Sequence, residues 1–274
     1  MTAAAIVPDC PTTAQRFGYA FSDSAAMTKR NLYKYVRLPQ LVVFSTIQPV
    51  MFILLFYFVF GGAISGNSGL DYIQYVLPGI LVQSVMFGSA STGIGLADDL
   101  GEGVIDRFRS LPMARSAVLA GRTAADTARN LFVVLLMIAV GYILGFRFVH
   151  GWWLAILAIL FALLVGLSFC WIQAYIGLSV KDPETVQVAG FIWIFPLVFA
   201  SSAFVPTDTM PGWLQVFADN QPVTKAIDAI RWMMLGDIPG MGATEADVWA
   251  GLAWMIGILI VFVPLTVNKY RRLQ

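Results

Sequence analysis

Charge is scarce in this sequence of 274 residues, and that scarcity excludes most soluble folds. Asp, Glu, Lys and Arg together make up 12% of the chain, hydrophobic residues make up 58%, and the mean hydropathy is +0.76. Soluble domains carry roughly 25% charged residues. The composition therefore predicts an integral membrane protein.

Cysteine and histidine are also rare, and this limits the chemistry that the chain can perform. Cys10 lies near the N-terminus, Cys170 lies inside a hydrophobic segment, and His150 is the only histidine. These positions predict no disulfide, no metal cluster and no Ser-His-Asp arrangement. We therefore expect no catalytic residue and no metal ligand in this chain.

Hydrophobic segments, by contrast, are long and numerous. A membrane-spanning helix requires about 20 mostly apolar residues, and six segments without any Asp, Glu, Lys or Arg meet that requirement. We expect an all-α membrane fold with an N-terminal tail over residues 1–23 and one transmembrane domain over 24–274. The six spans run over about 41–60, 72–97, 130–146, 152–178, 188–206 and 248–268.

The usual means of powering transport are missing from the sequence. Proton-coupled transporters place ionisable residues inside the membrane, whereas these spans offer only neutral polar groups such as Gln48, Gln83 and Gln173. A phosphate-binding loop requires Gly-x-x-x-x-Gly-Lys-Ser/Thr, and none of the five lysines follows a glycine. Sodium coupling through neutral groups stays open. Otherwise, a chain that moves a solute uphill must draw on another subunit.

The distribution of Lys and Arg predicts the orientation. If the N-terminus is cytoplasmic, 14 of the 17 Lys and Arg lie inside, and Arg147, Lys225 and Arg231 lie outside. Positive residues concentrate in cytoplasmic loops, so both termini are expected there. Residues 24–38 read as a basic helix ended by Pro39, which either anchors on lipid head groups or docks a partner.

Charged residues also precede the third span. Arg122, Asp126 and Arg129 are spaced by four and three, so one helical face carries them and Asp126 can pair with either arginine. We expect a helix that starts in the cytosol and enters the membrane near Asn130. Within the second span, Gly93 and Gly95 are expected to permit close helix packing.

Residues 207–237 should lie outside the membrane, because their apolar runs are too short to span. They predict two short amphipathic helices, which either float at the outer interface or dip back into the bilayer. In the second of these helices, one apolar face (Val223, Ile227, Ile230, Met234) lies opposite Lys225, Asp228 and Arg231.

The loop over residues 99–115 is a charged insert between two apolar spans. Asp99 followed by Glu102 resembles a capping box, and Pro112 disfavours helix at Leu111. We therefore expect a helix from about Leu100 to Ser110. From the residues alone, its apolar face could lie on lipid or dock on a partner; that face comprises Val104, Ile105, Phe108 and Leu111.

The order of residues from Glu102 to Pro112 (EGVIDRFRSLP) resembles the cytoplasmic loop of type-2 ATP-binding-cassette export permeases, most closely those of the daunorubicin-resistance type. A second patch is similar to the segment between the fifth and sixth spans of that family. It comprises Phe204–Pro206 (FVP), Met210–Leu214 (MPGWL) and Asn220–Thr224 (NQPVT). Gln221 separates the Asn and Pro that adjoin in many members.

The resemblance implies a permease subunit, without an ATPase site, that exports a lipophilic or amphiphilic compound across a bacterial plasma membrane. Its partners would be membrane lipids, a second permease subunit of the same or a similar kind, and an ATPase subunit. That ATPase subunit would hold ATP and Mg²⁺, and this chain would bind no cofactor and no nucleic acid. The residues that couple to the ATPase would be Glu102, Asp106, Arg107, Phe108, Arg109, Leu111 and Pro112.

The outer helix pair would, on the same resemblance, be re-entrant and gate the exit. The gate residues would be Pro206, Pro211, Trp213, Asn220 and Pro222. A weakly polar, aromatic path suited to such cargo is expected at Gln83, Phe87, Phe195 and Phe199. Two alternatives stay open: an ion-coupled secondary transporter, and a scaffold that recruits a cytosolic partner through residues 99–115 without transporting anything.

Overall fold

The computed structural model describes residues 13–37, 39–68, 72–103, 115–238 and 242–272, and every regular element within them is helical. A short 3₁₀ turn, Thr207–Thr209, follows the sixth α-helix. The α-helices are α1 (Thr13–Arg37), α2 (Pro39–Ser68), α3 (Tyr72–Gly101), α4 (Arg115–Ile143), α5 (Trp152–Val180), α6 (Pro183–Phe199), α7 (Gly212–Asn220), α8 (Pro222–Leu235) and α9 (Glu245–Arg272).

Four of these helices, α3, α4, α5 and α9, are long and apolar enough to cross a membrane. They fall on the second, third, fourth and sixth predicted spans. Two shorter apolar stretches, Ser45–Gly61 within α2 and Pro183–Phe199, fall on the first and fifth. The fifth prediction was wrong at its end: α6 stops at Phe199, and residues 200–206 form turns.

The centre of the bundle is α3, which packs against α2, α4, α5, α6 and α8. Leu77, Ile80 and Leu81 on α3 are completely buried. In its most apolar stretch, 78% of α3 is buried, against 17% for α9, so α9 presents an apolar surface to its surroundings. Such a surface in a membrane protein suits contact with lipid.

Close contact between α3 and α5 depends on glycine. A Cβ at Gly177 would overlap the backbone of Gly93, and a Cβ at Gly93 would lie 2.6 Å from the carbonyl oxygen of Gln173. Small residues let membrane helices approach until their backbones touch. The expected packing role of Gly93 is therefore confirmed. Gly95 faces Arg122 instead of a neighbouring backbone.

The basic helix predicted over residues 24–38 corresponds to α1, which ends at Arg37. One face of α1 packs on α4, where Met27 is buried beside Gly121. Lys29 and Arg37 on α1 are exposed. This arrangement leaves basic groups available to lipid head groups while the helix is held by the bundle.

Candidate functional site

Asp99 lies in the last turn of α3, so its predicted role as the N-cap of a following helix was wrong. The reason is that α3 continues through Asp99 and Leu100 to Gly101, and Glu102 follows in an exposed turn. Helix dipoles disfavour a carboxylate at a C-terminus. Here Arg122 offsets that effect, because its Nη1 lies 3.0 Å from Asp99 Oδ2, and Arg30 Nη2 lies 3.7 Å from Oδ1.

The remaining predicted coupling residues lie outside the described residues. They are Asp106, Arg107, Phe108, Arg109, Leu111 and Pro112.

A polar cluster joins α1, α3 and α4 next to Asp99. The buried Asp126 carboxylate accepts hydrogen bonds from Tyr35 Oη and Thr92 Oγ1, both at 2.5 Å, and lies 4.0 Å from Arg122 Nε. Burial and the adjacent carboxylate raise the pKa of the Tyr35 phenol, so this group stays a proton donor. Of the two pairings open to Asp126, the structure contains the one with Arg122.

Arg129 takes a different environment from Arg122, although both belong to α4. Its Nη1 donates to Ser91 Oγ at 2.7 Å, and its Nη2 donates to Gly88 O at 2.5 Å and Asn130 Oδ1 at 3.2 Å. Its Cζ lies 5.7 Å from the centre of the Tyr35 ring. All of these partners are neutral. Only 8% of the Arg129 surface is exposed, so its charge is held inside the bundle.

A cavity of about 210 Å³ lies between α2, α3, α4 and α6, and we call it the central cavity. Arg129 and Asn130 form part of its wall, together with Gln83 and Phe87, two of the four predicted path residues. The other two, Phe195 and Phe199, do not line it. The sequence did not indicate Arg129 or Asn130 as path residues, since Arg129 precedes the predicted third span and Asn130 begins it.

Phe195 and Phe199 instead belong to a row of rings that begins at the cavity. The ring centres are 5.1 Å apart for Phe87 and Phe195, 5.6 Å for Phe195 and Phe199, and 5.3 Å for Phe199 and Phe204. Such spacings are typical of favourable aromatic pairs. We call Phe87, Phe191, Phe195, Phe199 and Phe204 the aromatic row. It contains three of the four predicted path residues, Phe87, Phe195 and Phe199, and Gln83 lines the cavity at which the row begins.

The two short helices predicted between residues 207 and 237 are present as α7 and α8. Pro211 precedes α7, Asn220 ends it, Pro222 begins α8, and Pro206 precedes the 3₁₀ turn, so these residues bound elements as expected. Trp213 on α7 is 77% exposed. Gln221, between the two helices, is buried, and its Nε2 donates to the carbonyl oxygens of Leu197 and Ala200, which lie at the end of α6.

The α8 helix is largely buried, so the expectation that it carries a polar face opposite its apolar one was wrong for Asp228 and Arg231. Arg231 Nη1 donates to Asp228 Oδ1 at 2.6 Å, and its Nη2 donates to Ser202 O at 2.9 Å and Tyr75 O at 3.2 Å. The Tyr75 ring lies 4.1 Å from its Cζ. The ion pair with Asp228, together with the carbonyl oxygens on α3 and after α6, makes the burial of Arg231 possible. In the sequence, the i,i+3 spacing of Asp228 and Arg231 was the signal that could have indicated this pair.

Two further charges fix α8. Lys225 Nζ donates to Asp247 Oδ1 at 2.8 Å, which ties α8 to α9. Burial raises the pKa of Asp228 to about 6, while the nearby Arg231 counteracts this effect.

Within the part of the chain that the structure describes, no three His, Cys, Asp or Glu side chains group as a metal site would require.

Comparison with known proteins gives consistent similarities. The family model described as ABC-2 type transporter matches residues 24–235. The daunorubicin resistance ABC transporter permease protein DrrB1 of Streptomyces coeruleorubidus is 35% identical over 259 residues, which cover 94% of this chain and 89% of that protein. The probable doxorubicin resistance ABC transporter permease protein DrrC of Mycobacterium tuberculosis is 29% identical over 250 residues, covering 89% and 87%.

A more distant similarity extends to Escherichia coli, whose inner membrane transport permease YadH is 23% identical over 243 residues, covering 85% of this chain and 87% of that protein.

Proposed function

The chain belongs to the ABC-2 type transporter family, and on that premise we propose that it carries lipophilic or amphiphilic compounds, either drugs or lipids, out of a bacterial cytoplasm. It is a membrane permease subunit of an ABC exporter, and a separate subunit hydrolyses ATP. Relatives named for daunorubicin and doxorubicin resistance support a drug-like cargo.

One observation carries the cargo proposal: the central cavity and the aromatic row are continuous. Gln83 and Phe87 line the cavity, and Phe195 and Phe199 extend from Phe87 along α6. Pockets for small molecules are lined mainly by apolar and aromatic side chains with a few polar groups. This composition favours a cargo with a large apolar part.

Coupling to the ATPase would occur at the turn after α3. Glu102 is exposed there, three residues beyond the Asp99 carboxylate that Arg122 holds. A push on this turn would act on α3, the same rigid helix that carries Gln83 and Phe87. The residues proposed to dock on the ATPase are Glu102, Asp106, Arg107, Phe108, Arg109, Leu111 and Pro112.

The complete transporter would contain two permease subunits, identical or similar, and an ATPase dimer that holds ATP and Mg²⁺. Each permease would have six spans in the plasma membrane with both termini in the cytoplasm, as the bias of 14 among 17 basic residues indicates. Residues 24–274 would form the permease domain. On the far side, Pro206, Pro211, Trp213, Asn220 and Pro222 would shape the outer gate.

The coupling proposal can be tested by co-expressing the chain with its ATPase subunit and comparing wild type with Glu102→Ala and Phe108→Ala. Truncating an anchor at an interface weakens binding by about tenfold or more. We expect both variants to recover less ATPase on purification and to show lower cargo-stimulated ATP hydrolysis. Unchanged assembly together with unchanged transport in both variants would contradict the proposal.

Two matched controls separate docking from general damage. Asp208→Ala removes an exposed carboxylate from the 3₁₀ turn, and Phe132→Ala removes a ring that is 51% exposed on α4. Neither residue belongs to the proposed docking surface. We expect both variants to assemble and transport as the wild type does.

A further inference from the structure

We propose that Arg129 binds the anionic head group of an amphiphile whose apolar part occupies the central cavity. This inference rests on the proposed function, because it assigns a charge to the cargo or lipid that the permease holds. It is independent of how the ATPase docks. Three features of the cavity carry it: the state of the arginine, the polar atoms around it, and the arrangement of polar and apolar walls.

The first feature is a guanidinium that forms no ion pair with any described residue. Among the residues that the structure describes, no carboxylate lies within 4.0 Å of Arg129, whereas Arg122 has Asp99 at 3.0 Å and Arg231 has Asp228 at 2.6 Å. Buried charges in proteins are normally paired. The neutral partners of Arg129 leave its positive charge available to a ligand.

The second feature is a set of buried polar side chains beside the arginine. Asn130 and Gln83 line the central cavity together with Arg129, and the three side chains are 2%, 3% and 8% exposed. Arg129 Nε, Asn130 Nδ2 and Gln83 Oε1 have no hydrogen-bond partner among the described residues, although none of these three atoms is itself exposed to the cavity. A carboxylate or phosphate oxygen accepts charge-assisted hydrogen bonds from a guanidinium, whereas a cationic or purely apolar ligand does not.

The third feature is the placement of Arg129 between a polar and an apolar space. On one side, Phe52, Phe87 and Phe191 line the central cavity. On the other side lies a second cavity of about 330 Å³, whose wall includes Arg129 itself and the carboxylates of Asp98, Asp99 and Asp126. The Asp126 carboxylate is occupied by Tyr35, Thr92 and Arg122. An amphiphile with its head at Arg129 would therefore extend its tail toward the aromatic row.

The proposal can be tested on the purified full chain in nanodiscs of zwitterionic phosphatidylcholine, without the ATPase. The probes are 11-(dansylamino)undecanoic acid and its uncharged primary amide, followed by dansyl fluorescence. Hydrogen bonds to charged groups correspond to about tenfold to a hundredfold in affinity. We expect the acid to bind wild type more tightly than the amide by about that factor.

Two substitutions probe the charge in opposite ways. Arg129→Gln removes it and should abolish the preference for the acid, while Arg129→Lys should retain much of it. Asn130→Asp keeps the arginine but places a carboxylate of equal shape beside it, where Asn130 Oδ1 already accepts from Nη2 at 3.2 Å. We expect this variant to fold normally and to lose the preference for the acid, which keeps the test informative if Arg129→Gln is unstable.

Arg147→Gln is the matched control. Arg147 also donates to two carbonyl oxygens and lies over a tyrosine ring, but it is exposed and distant from the cavity lining. The acid should bind this variant as it binds wild type. Equal affinity of wild type for acid and amide, or an acid preference that survives in Asn130→Asp, would overturn the proposal. So would an equal loss in Arg147→Gln.

A final arm identifies the source of the anion. Adding phosphatidylglycerol to the nanodiscs should displace the acid if the site takes a lipid head group, and should leave it bound if the site takes a free anionic solute. Because binding is measured without the ATPase, failure here would leave the assignment as a permease intact. Conversely, normal binding with no cargo-stimulated ATP hydrolysis in the complex would contradict the proposed function alone.

Discussion

At the scale of single residues, three arginines within the bundle differ in what balances their charge. Arg122 is paired with Asp99, Arg231 with Asp228, and Arg129 only with neutral groups. Arg231 is completely buried, and its guanidinium connects α8 to the carbonyl oxygens of Tyr75 and Ser202. We infer that the Arg231–Asp228 pair fixes α8 on α3, whereas Arg129 is left to interact with a ligand.

Replacing Arg231 by Leu should destabilise the protein strongly, because it leaves the Asp228 carboxylate buried beside the hydroxyl of Ser202, which donates to it at 2.8 Å, but without its counter-charge. Breaking a buried ion pair costs about 3–5 kcal/mol. We expect a loss of that size in the free energy of unfolding at about pH 7.5, where the wild-type Asp228, with its pKa raised to about 6, is ionised and paired with Arg231. In the variant the pKa of this buried carboxyl is higher still, because Arg231 lowers it in wild type. The loss should shrink at about pH 5, since Asp228 is then protonated in wild type too and the ion pair no longer contributes.

The double variant Arg231→Leu, Asp228→Leu is the decisive comparison for this prediction. It removes both charges and should recover most of the lost stability, because apolar replacement of a buried pair is often neutral. Lys181→Leu, at an exposed position, serves as a control for loss of a positive charge. If Arg231→Leu unfolds no more easily than Lys181→Leu, the pair does not hold α8 in place.

At the scale of helices, the crossing of α3 and α5 should tolerate no large side chain. Gly177→Leu would drive its Cβ into the backbone of Gly93, and overpacking without backbone overlap already costs about 1–3 kcal/mol. We expect a clear fall in melting temperature and in the yield of monodisperse protein. Gly257→Leu on α9, where a Cβ meets nothing within 4 Å, should behave as wild type. Equal behaviour of the two variants would contradict this packing.

The existence of the helices could be predicted from the sequence, whereas several of their ends could not. Long apolar runs determine where a helix can cross a membrane, and α5 begins and ends within two residues of the prediction. Asp99 was assigned to the start of a new helix because a capping pattern is local. Asp99 instead lies in the last turn of α3, where its carboxylate pairs with Arg122 and Arg30, which are distant in sequence.

At the scale of the whole molecule, the sequence could suggest which residues belong to the path but not what surrounds them. The sequence indicated Gln83, Phe87, Phe195 and Phe199 because they are polar or aromatic residues in apolar spans. In the fold, Gln83 and Phe87 line the central cavity, and ring contacts join Phe87 to Phe195 and Phe199. Arg129 is absent from that set because burial of a charge depends on packing between α1, α3 and α4. Hydropathy measures a segment by itself and contains no information about such contacts.

One face of α6 remains uncovered in a single subunit, and this bears on assembly. Val188, Ile192, Phe195 and Phe199 are exposed at spacings of four, three and four, so they form one stripe on the side opposite the buried Ile194. Two of them belong to the aromatic row. A path that starts in the central cavity would thus be open along α6 unless a second permease subunit covers it.

We therefore expect the α6 stripe to face its counterpart in a paired subunit. Ile192→Cys, in a background with Cys10 and Cys170 replaced by Ala, should form an intermolecular disulfide in membranes treated with a mild oxidant. Ile260→Cys on α9 is the matched control, because Ile260 is 68% exposed and Ile192 is 69% exposed. A disulfide requires Cα atoms closer than about 7 Å, so a specific interface would cross-link Ile192→Cys and not Ile260→Cys. Random collisions in the bilayer would cross-link both positions equally, because the two side chains are equally exposed. Cross-linking at Ile260 but not at Ile192 would place the second subunit on α9 and leave the aromatic row facing lipid.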